Sequence, residues 1–197
     1  YTASLCVLEL VKKVKRSFKG EIIVTGASGG VGSIAVNLLS NLNYKVVALS
    51  NKDTDFLKKI GAYKVIKRND FICNKNPLSK QKWIAAIDTV GGDILSTILS
   101  ETCYDGIVVS TGLAKSAELN TTVYPFILRN VTLAGIDCVY ASTSKRQKAW
   151  KFLENYLDRT ILKKIKNKGD FTKLRILSNQ ILKGKIKKRI IIKIKNE

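Results

Sequence analysis

The residues of this chain with the clearest chemical purpose are small ones. Ala27, Gly29 and Gly32 stand at the spacing of the G-x-G-x-x-G turn, with alanine in the first place, inside Ile22-Ile23-Val24-Thr25-Gly26-Ala27-Ser28-Gly29-Gly30-Val31-Gly32. β-forming residues run straight into the turn and a helical pattern (Ile34, Ala35, Leu38, Leu39, Leu42) follows, which is the strand-turn-helix context a dinucleotide site needs. Ala27 permits the tight turn, Gly29 lets the backbone approach a pyrophosphate, and Gly32 lets the helix pack closely on the strand. The N–H groups at the helix start, on the positive end of its dipole, then face the phosphates. A βα turn with no ligand is the alternative.

Other chemistries find less support. The chain contains no histidine, which removes Ser-His-Asp triads, Cys-His dyads and histidine-ligated metals. Cys6, Cys73, Cys103 and Cys138 are scattered without a C-x-x-C pair, so neither a zinc site nor a disulfide framework is expected, and the thiols are read as reduced. The residues offer no convincing catalytic acid, base or nucleophile, and no metal site is assigned.

Elements that position the turn follow from periodicity. A helix with an apolar stripe is expected over Thr2 to Lys15, then a strand over Glu21 to Thr25 with its helix from Val31 to Leu42, then a second buried strand over Lys45 to Leu49. This βαβ unit commits the chain to a doubly wound parallel sheet, because such crossovers are right-handed in nearly all cases. Further strands are read at Lys64 to Ile66, Ile84 to Thr89, Gly106 to Thr111 and Val131 to Asp137, with helices over Phe56 to Ile60 and Ile94 to Leu99. The fold class is α/β, a Rossmann sheet of about six strands. Beyond it, Ser142 or Ser144 caps a long helix over Lys145 to Ile165, whose inner face carries Trp150, Leu153 and Leu157. A helix over Phe171 to Leu182 and a strand over Ile190 to Ile194 complete the pattern. Residues 1–140 are expected to form the dinucleotide-binding domain and 141–197 a separate C-terminal segment.

The end of the second strand is where such a domain selects its cofactor. An acidic residue there accepts from the ribose 2′-hydroxyl of NAD, whereas a 2′-phosphate needs donors and no negative charge. Ser50, Asn51 and Lys52 favour NADP, with Asp53-Thr54-Asp55 read as the N-cap of the next helix. A strand ending three residues later would reverse this choice. Arg68 also offers a cation to the adenosine phosphate, or forms part of a solvated charge pair with Lys67.

The formal charge of +20 invites a nucleic-acid reading. Basic residues crowd after Arg159, at Lys163, Lys164, Lys166, Lys168, Lys173, Arg175, Lys183, Lys185, Lys187, Lys188 and Arg189, opposed only by Asp170 and Glu197. No zinc finger, GXXG loop or aromatic RNP pattern accompanies them, so solvated lysine-rich faces are favoured over nucleic acid. No run of about 18 apolar residues is present to span a membrane, and a cytoplasmic protein is expected. The chain has no methionine and opens inside a helical pattern, which suggests a piece of a longer polypeptide.

Five stretches together resemble the C-terminal part of a medium-chain dehydrogenase/reductase. They are Tyr1-Thr2-Ala3, Val24 to Ser33, Ile87-Asp88-Thr89-Val90-Gly91-Gly92, Pro125-Phe126-Ile127-Leu128-Arg129 and Leu133-Ala134-Gly135-Ile136-Asp137. The set is similar to the zinc-free, quinone-oxidoreductase-like branch that includes NADPH-dependent acrylyl-CoA reductases. The resemblance implies that Gly29, Gly30 and Val31 hold the pyrophosphate and that Ser50 and Lys52 meet the 2′-phosphate. Thr89 and Val90 would line the ribose, and Gly112, Leu113, Ile136 and Asp137 would surround the nicotinamide. Arg189 falls where the family has a basic residue that reaches the cofactor, with one more solvated cation as the alternative. The final segment would return to complete a GroES-like catalytic domain whose N-terminal part these residues lack, leaving Ile190, Ile191 and Ile192 as an uncovered edge.

The resemblance therefore implies an NADPH-dependent reductase of an activated C=C bond or a quinone, most simply an acrylyl-CoA-type enoyl thioester. A non-catalytic NADP-binding or basic nucleic-acid-associated module is the alternative. Val131 to Ile136, the edge strand, is the candidate homodimer interface.

Overall fold

The computed structural model describes residues 1–14, 19–186, 188–192 and 194. Lys15, Lys187 and Glu197, named above in the first helix and the basic cluster, lie outside them, as does Lys193 of the last expected strand. The strands are β1 (Glu21–Thr25), β2 (Lys45–Leu49), β3 (Lys64–Ile66), β4 (Trp83–Asp88), β5 (Thr102–Ser110) and β6 (Thr132–Gly135), and they form one sheet in the order β3-β2-β1-β4-β5-β6. All five pairings are parallel. The order reverses beside β1, the Rossmann switch point, so the glycine turn after β1 lies at the crevice where such sheets take ligands.

Alternation of side chains assembles two cores. Ile22, Val24, Val46, Ala48, Ala85, Ile87, Ile107 and Val109 face one layer, where α1 (Thr2–Lys13) and α2 (Gly32–Asn41) pack with α3 (Thr54–Lys59). Ile23, Val47, Ala86 and Val108 face the other, against Ile94, Leu95, Ile98 and Leu99 of α4 (Gly92–Glu101). Burial on both faces is why these strands read as continuous apolar runs.

Several boundaries differ from the sequence expectation, each for a local reason. β5 starts at Thr102 because its pairing with β4 carries a bulge, with Thr102 opposite Trp83 and Ile107 opposite Ala85; Asp105, at φ 59°, lies within the bulged stretch. A short helix, α5 (Tyr124–Arg129), was not expected; it carries Pro125 in its first turn and closes on left-handed Asn130. The long helix expected over Lys145 to Ile165 is two helices, α6 (Thr143–Tyr156) and α7 (Thr160–Ile165). Between them Leu157 is extended, the Asp158 N–H donates to Asn37 Oδ1 (3.1 Å), and the Asp158 carboxylate accepts from Thr160 N (2.8 Å). Ser142 caps α6. Ala149 and Leu153, with Ile161 and Ile165 of α7, turn inward, whereas Trp150 is 56% exposed and stacks on Tyr1.

Past α7 the chain forms β7 (Lys166–Gly169), a 3-10 turn, α8 (Leu174–Leu182) and β8 (Arg189–Ile192). β7 pairs in parallel with β8, so one edge of the last strand, expected to be bare, is occupied. Gly169 permits the approach: a Cβ there would stand 2.8 Å from Ile190 Cγ2 and 3.0 Å from Leu177 Cδ1. Ile191, Ile181 and Leu182 remain largely exposed. Among the described residues no helix is long and apolar enough to cross a membrane.

Candidate dinucleotide site at the carboxyl ends of the strands

The turn after β1 is shaped by its lack of side chains. Gly26 adopts φ +57°, and the Gly29 N–H donates to Gly26 O (2.8 Å) to close the turn. A Cβ at Gly32 would lie 2.4 Å from Gly26 O and 2.7 Å from Ala27 Cα, so only glycine lets α2 start this close to the strand. Ser33 locks the entry by donating from Oγ to Gly29 O (2.7 Å). The first N–H groups of a helix have no partner within it, and those of Gly32 and of the two residues before it, Gly30 and Val31, find no backbone acceptor among the described residues. Free donors at a helix start can seat an anion.

Arg189 covers this seat. A Cβ at Gly30 would fall 2.6, 2.7 and 2.8 Å from Nη2, Cζ and Nε of Arg189, which means the guanidinium lies flat against the turn. The neighbouring Lys188 N–H donates to Ser28 O (3.1 Å), so the start of β8 is fastened to the glycine turn by backbone as well.

β2 ends at Leu49, which makes Ser50 the first residue beyond it. Ser50 is 8% exposed, and its hydroxyl donates to Ser28 Oγ (2.8 Å) and accepts from the Lys52 N–H (3.1 Å), tying the residues after β2 to the glycine turn. Asn51 donates to Asn69 Oδ1 (2.8 Å), next to exposed Arg68. Lys52 Nζ donates to the carbonyls of Gly184 and Ile186. Asp53 occupies the N-cap position of α3 but makes no side-chain capping bond. Its carboxylate instead faces Lys188 Nζ at 3.6 Å.

At the next strand end Asp88 organises the backbone. Its fully buried carboxylate accepts from Thr25 Oγ1 (2.7 Å), Val90 N (3.3 Å) and Gly91 N (2.9 Å), and burial pushes its acid above the usual carboxylate range despite these donors. Thr89 completes the link by donating from N to Thr25 Oγ1 (2.9 Å) and from Oγ1 to Thr25 O (3.0 Å). No sequence signal beyond the Ile87-Asp88-Thr89 motif announced this network, which joins the ends of β1 and β4. Gly112 approaches it from β5: a Cβ there would lie 2.6 Å from Thr89 O.

Ile136 follows β6, its N–H donating to Ser110 O (3.0 Å), while Asp137 Oδ1 accepts from the N–H groups of Val139 (2.7 Å) and Tyr140 (3.1 Å). Leu113 is 66% exposed, and a Cβ at Gly91 would lie 3.6 Å from its Cα. Thus Gly29, Gly30, Val31, Ser50, Lys52 and Arg189 form one group, and Thr89, Val90 and Gly112 a second that touches it through Gly26, against which Thr89 and Val90 pack. Arg68 is joined only indirectly, through Asn69 and Asn51. Burial pushes the Cys6 thiol up to about 12, so it remains a thiol and no nucleophile. Among the described residues no group of three or more His, Cys, Asp or Glu side chains is placed to hold a metal ion.

Known proteins resemble this chain in sequence and fold. Over 196 residues the chain is 41% identical to a probable acrylyl-CoA reductase of Escherichia coli, covering 98% of this chain and 60% of that protein. It is 39% identical over 198 residues to a putative quinone oxidoreductase of Bacillus subtilis, with the same coverage of 98% and 60%. The chain therefore spans about 60% of the length of these curated relatives. Among solved structures, an Escherichia coli protein with bound NADPH superposes at a TM-score of 0.93 with 41% identity, covering 98% of this chain and 60% of that one. A Bacillus subtilis protein with NAD bound superposes at 0.89 with 39% identity and the same coverage, 98% and 60%. The model of the zinc-binding dehydrogenase family matches residues 30–155, and with these likenesses it establishes that the chain belongs to that family, within the medium-chain dehydrogenases/reductases.

Proposed function

We propose that this chain carries the cofactor site of an NADPH-dependent reductase acting on an activated C=C bond, most simply an acrylyl-CoA-type enoyl thioester, or on a quinone. The observation that carries the reading is the turn from Gly29 to Gly32, where the N–H groups of Gly30, Val31 and Gly32, without a backbone acceptor among the described residues, and the Arg189 guanidinium meet in a cradle that a Cβ at position 30 would fill. Two adjacent phosphates need this combination of backbone donors and fixed cation. Ser50 and Lys52 supply a hydroxyl and a cation where a 2′-phosphate belongs. Thr89 and Val90, held by Thr25 and Asp88, would take the ribose, and Gly112, Leu113, Ile136 and Asp137 the nicotinamide end.

When bound, the nicotinamide supplies the hydride, delivered to the electron-poor carbon of the acceptor. The residues of this chain orient it and exclude water, and none is assigned as acid or base. In the relatives the remaining 40% or so of the chain is the natural source of the acceptor pocket, so we expect cofactor binding by these residues without appreciable turnover. The outer edge of β6 would serve a second copy of the chain.

Calorimetric titration of the purified chain at moderate salt tests the reading. Tight NADPH binding with clearly weaker NADH binding is expected, with little oxidation of NADPH on adding acrylyl-CoA. Binding of neither cofactor would overturn it, and binding of nucleic acid that collapses between low and moderate salt would favour the basic surface instead.

A further inference from the structure

We propose that Lys188 determines cofactor specificity by neutralising Asp53 beside the seat of the 2′-phosphate, an inference that rests on the cofactor reading above. The selector turn that follows β2 contains an unfavourable group. Asp53 lies one residue after Lys52, and a carboxylate at such a strand end accepts well from a ribose 2′-hydroxyl but repels a 2′-phosphate. Its helix does not occupy it, because the Asp53 side chain makes no capping bond to α3.

The structure brings a distant cation to that carboxylate. Lys188 Nζ stands 3.6 Å from Asp53 Oδ2 and 4.5 Å above the ring of Phe56, in the first turn of α3. Both side chains are about three-quarters covered, at 23% and 27% exposure, so water screens the pair less than it would on an open surface. The approach uses backbone that only special positions adopt: Lys188 has φ +65° and Asp53 φ +58°, both left-handed without being glycine. Two anchors hold Lys188 there. Its own N–H donates to Ser28 O at 3.1 Å, and Lys52 Nζ holds the preceding carbonyls of Gly184 and Ile186.

The charge balance follows directly. With Lys188 in place, the charge of Asp53 is cancelled beside the seat of the 2′-phosphate. Without it, a bare carboxylate stands at the strand end, and the turn resembles one that suits NADH. Lys188 is thus a positioning and charge-compensating residue, not a catalytic one.

The test is titration of the purified chain with NADPH and with NADH for the wild type, Lys188→Gln, Lys188→Arg, Asp53→Asn and the Lys188→Gln/Asp53→Asn pair. Lys188→Gln is expected to weaken NADPH about tenfold and NADH by less than about twofold. Lys188→Arg retains the preference, and Asp53→Asn in the Lys188→Gln background restores NADPH to within about threefold of wild type. Asp53→Asn alone, which leaves Lys188 uncompensated, is expected to bind NADPH at least as tightly as the wild type, a readout that does not depend on how the lysine variants fold; weaker NADPH binding by this variant overturns the role of Lys188. Equal weakening of both cofactors by Lys188→Gln, or no rescue by Asp53→Asn, overturns the role of Lys188 while leaving the cofactor reading standing. A wild-type chain that binds neither cofactor overturns both.

Discussion

Two regions of this molecule meet at Gly30 and are built by opposite means. On one side, the carboxyl ends of β1, β2 and β4 are set by a buried sheet whose side chains fill both cores and by a hydrogen-bond network in which the Asp88 carboxylate accepts from three donors. On the other, the segment from β7 to β8 leaves Phe171, Leu174, Ile176, Ile181, Leu182 and Ile191 largely exposed and reaches the site through a few contacts: Arg189 on Gly30, Lys188 on Asp53 and Ser28, and the carbonyls held by Lys52. The first region supplies shape and the second supplies charge. Shape that rests on a core is costly to disturb, whereas charge delivered by a strap can be removed with the fold intact.

The contrast is open to direct attack. The largest effect is expected from Ile23→Ala, which opens a cavity at a fully buried position of β1 and should cost roughly 3 kcal/mol in denaturant unfolding, with cofactor binding lost alongside. Asp88→Asn should cost about 2 kcal/mol, because an amide cannot accept from all three donors. Its pH dependence has a defined sign. Burial raises the Asp88 pKa in the folded chain above the unfolded value of about 3.9, so its increment of stability is complete below that value and is lost as pH rises through the raised one. The gap between wild type and Asp88→Asn in urea midpoints should therefore narrow from acid toward neutral pH; a gap that widens would contradict the assignment.

Smaller effects should fall on the strap. Gly30→Ala meets only the movable end of Arg189, so stability should change by less than about 0.5 kcal/mol while NADPH affinity falls as the guanidinium is displaced. Ile191→Ala, at 50% exposure, should stay within about 0.5 kcal/mol on unfolding. A cost at Ile191 comparable to that at Ile23 would show that the strap is an equal partner in the core, and the division drawn here would fail.

The same division explains how much was legible in the sequence. Ile22 to Val24, Lys45 to Leu49 and the strand ending at Asp88 were readable because parallel strands buried on both faces are continuous apolar runs, and Gly32 because close helix packing excludes a Cβ. The helix break after Tyr156 was hidden because it depends on Asn37, far away in the chain, receiving the Asp158 N–H. β7 was missed because Lys166-Asn167-Lys168 has no apolar alternation; its strand geometry comes from pairing with β8. Asp53 read as a cap because its local neighbours are those of a cap, and Lys188, brought back by the return of the chain, gives it another partner. Trp150 has the spacing of an inner-face residue but stacks outside on Tyr1. In each case a distant contact decided the outcome.

The most direct test of the account is an amide 1H–15N spectrum of the labelled chain with and without NADPH. Shifts concentrated at Gly30, Val31, Gly32, Lys52, Thr89 and Val90, with Arg189 among the affected residues, are the predicted result. An unchanged glycine turn, or shifts confined to the lysine-rich face from Lys163 to Lys185, would contradict it.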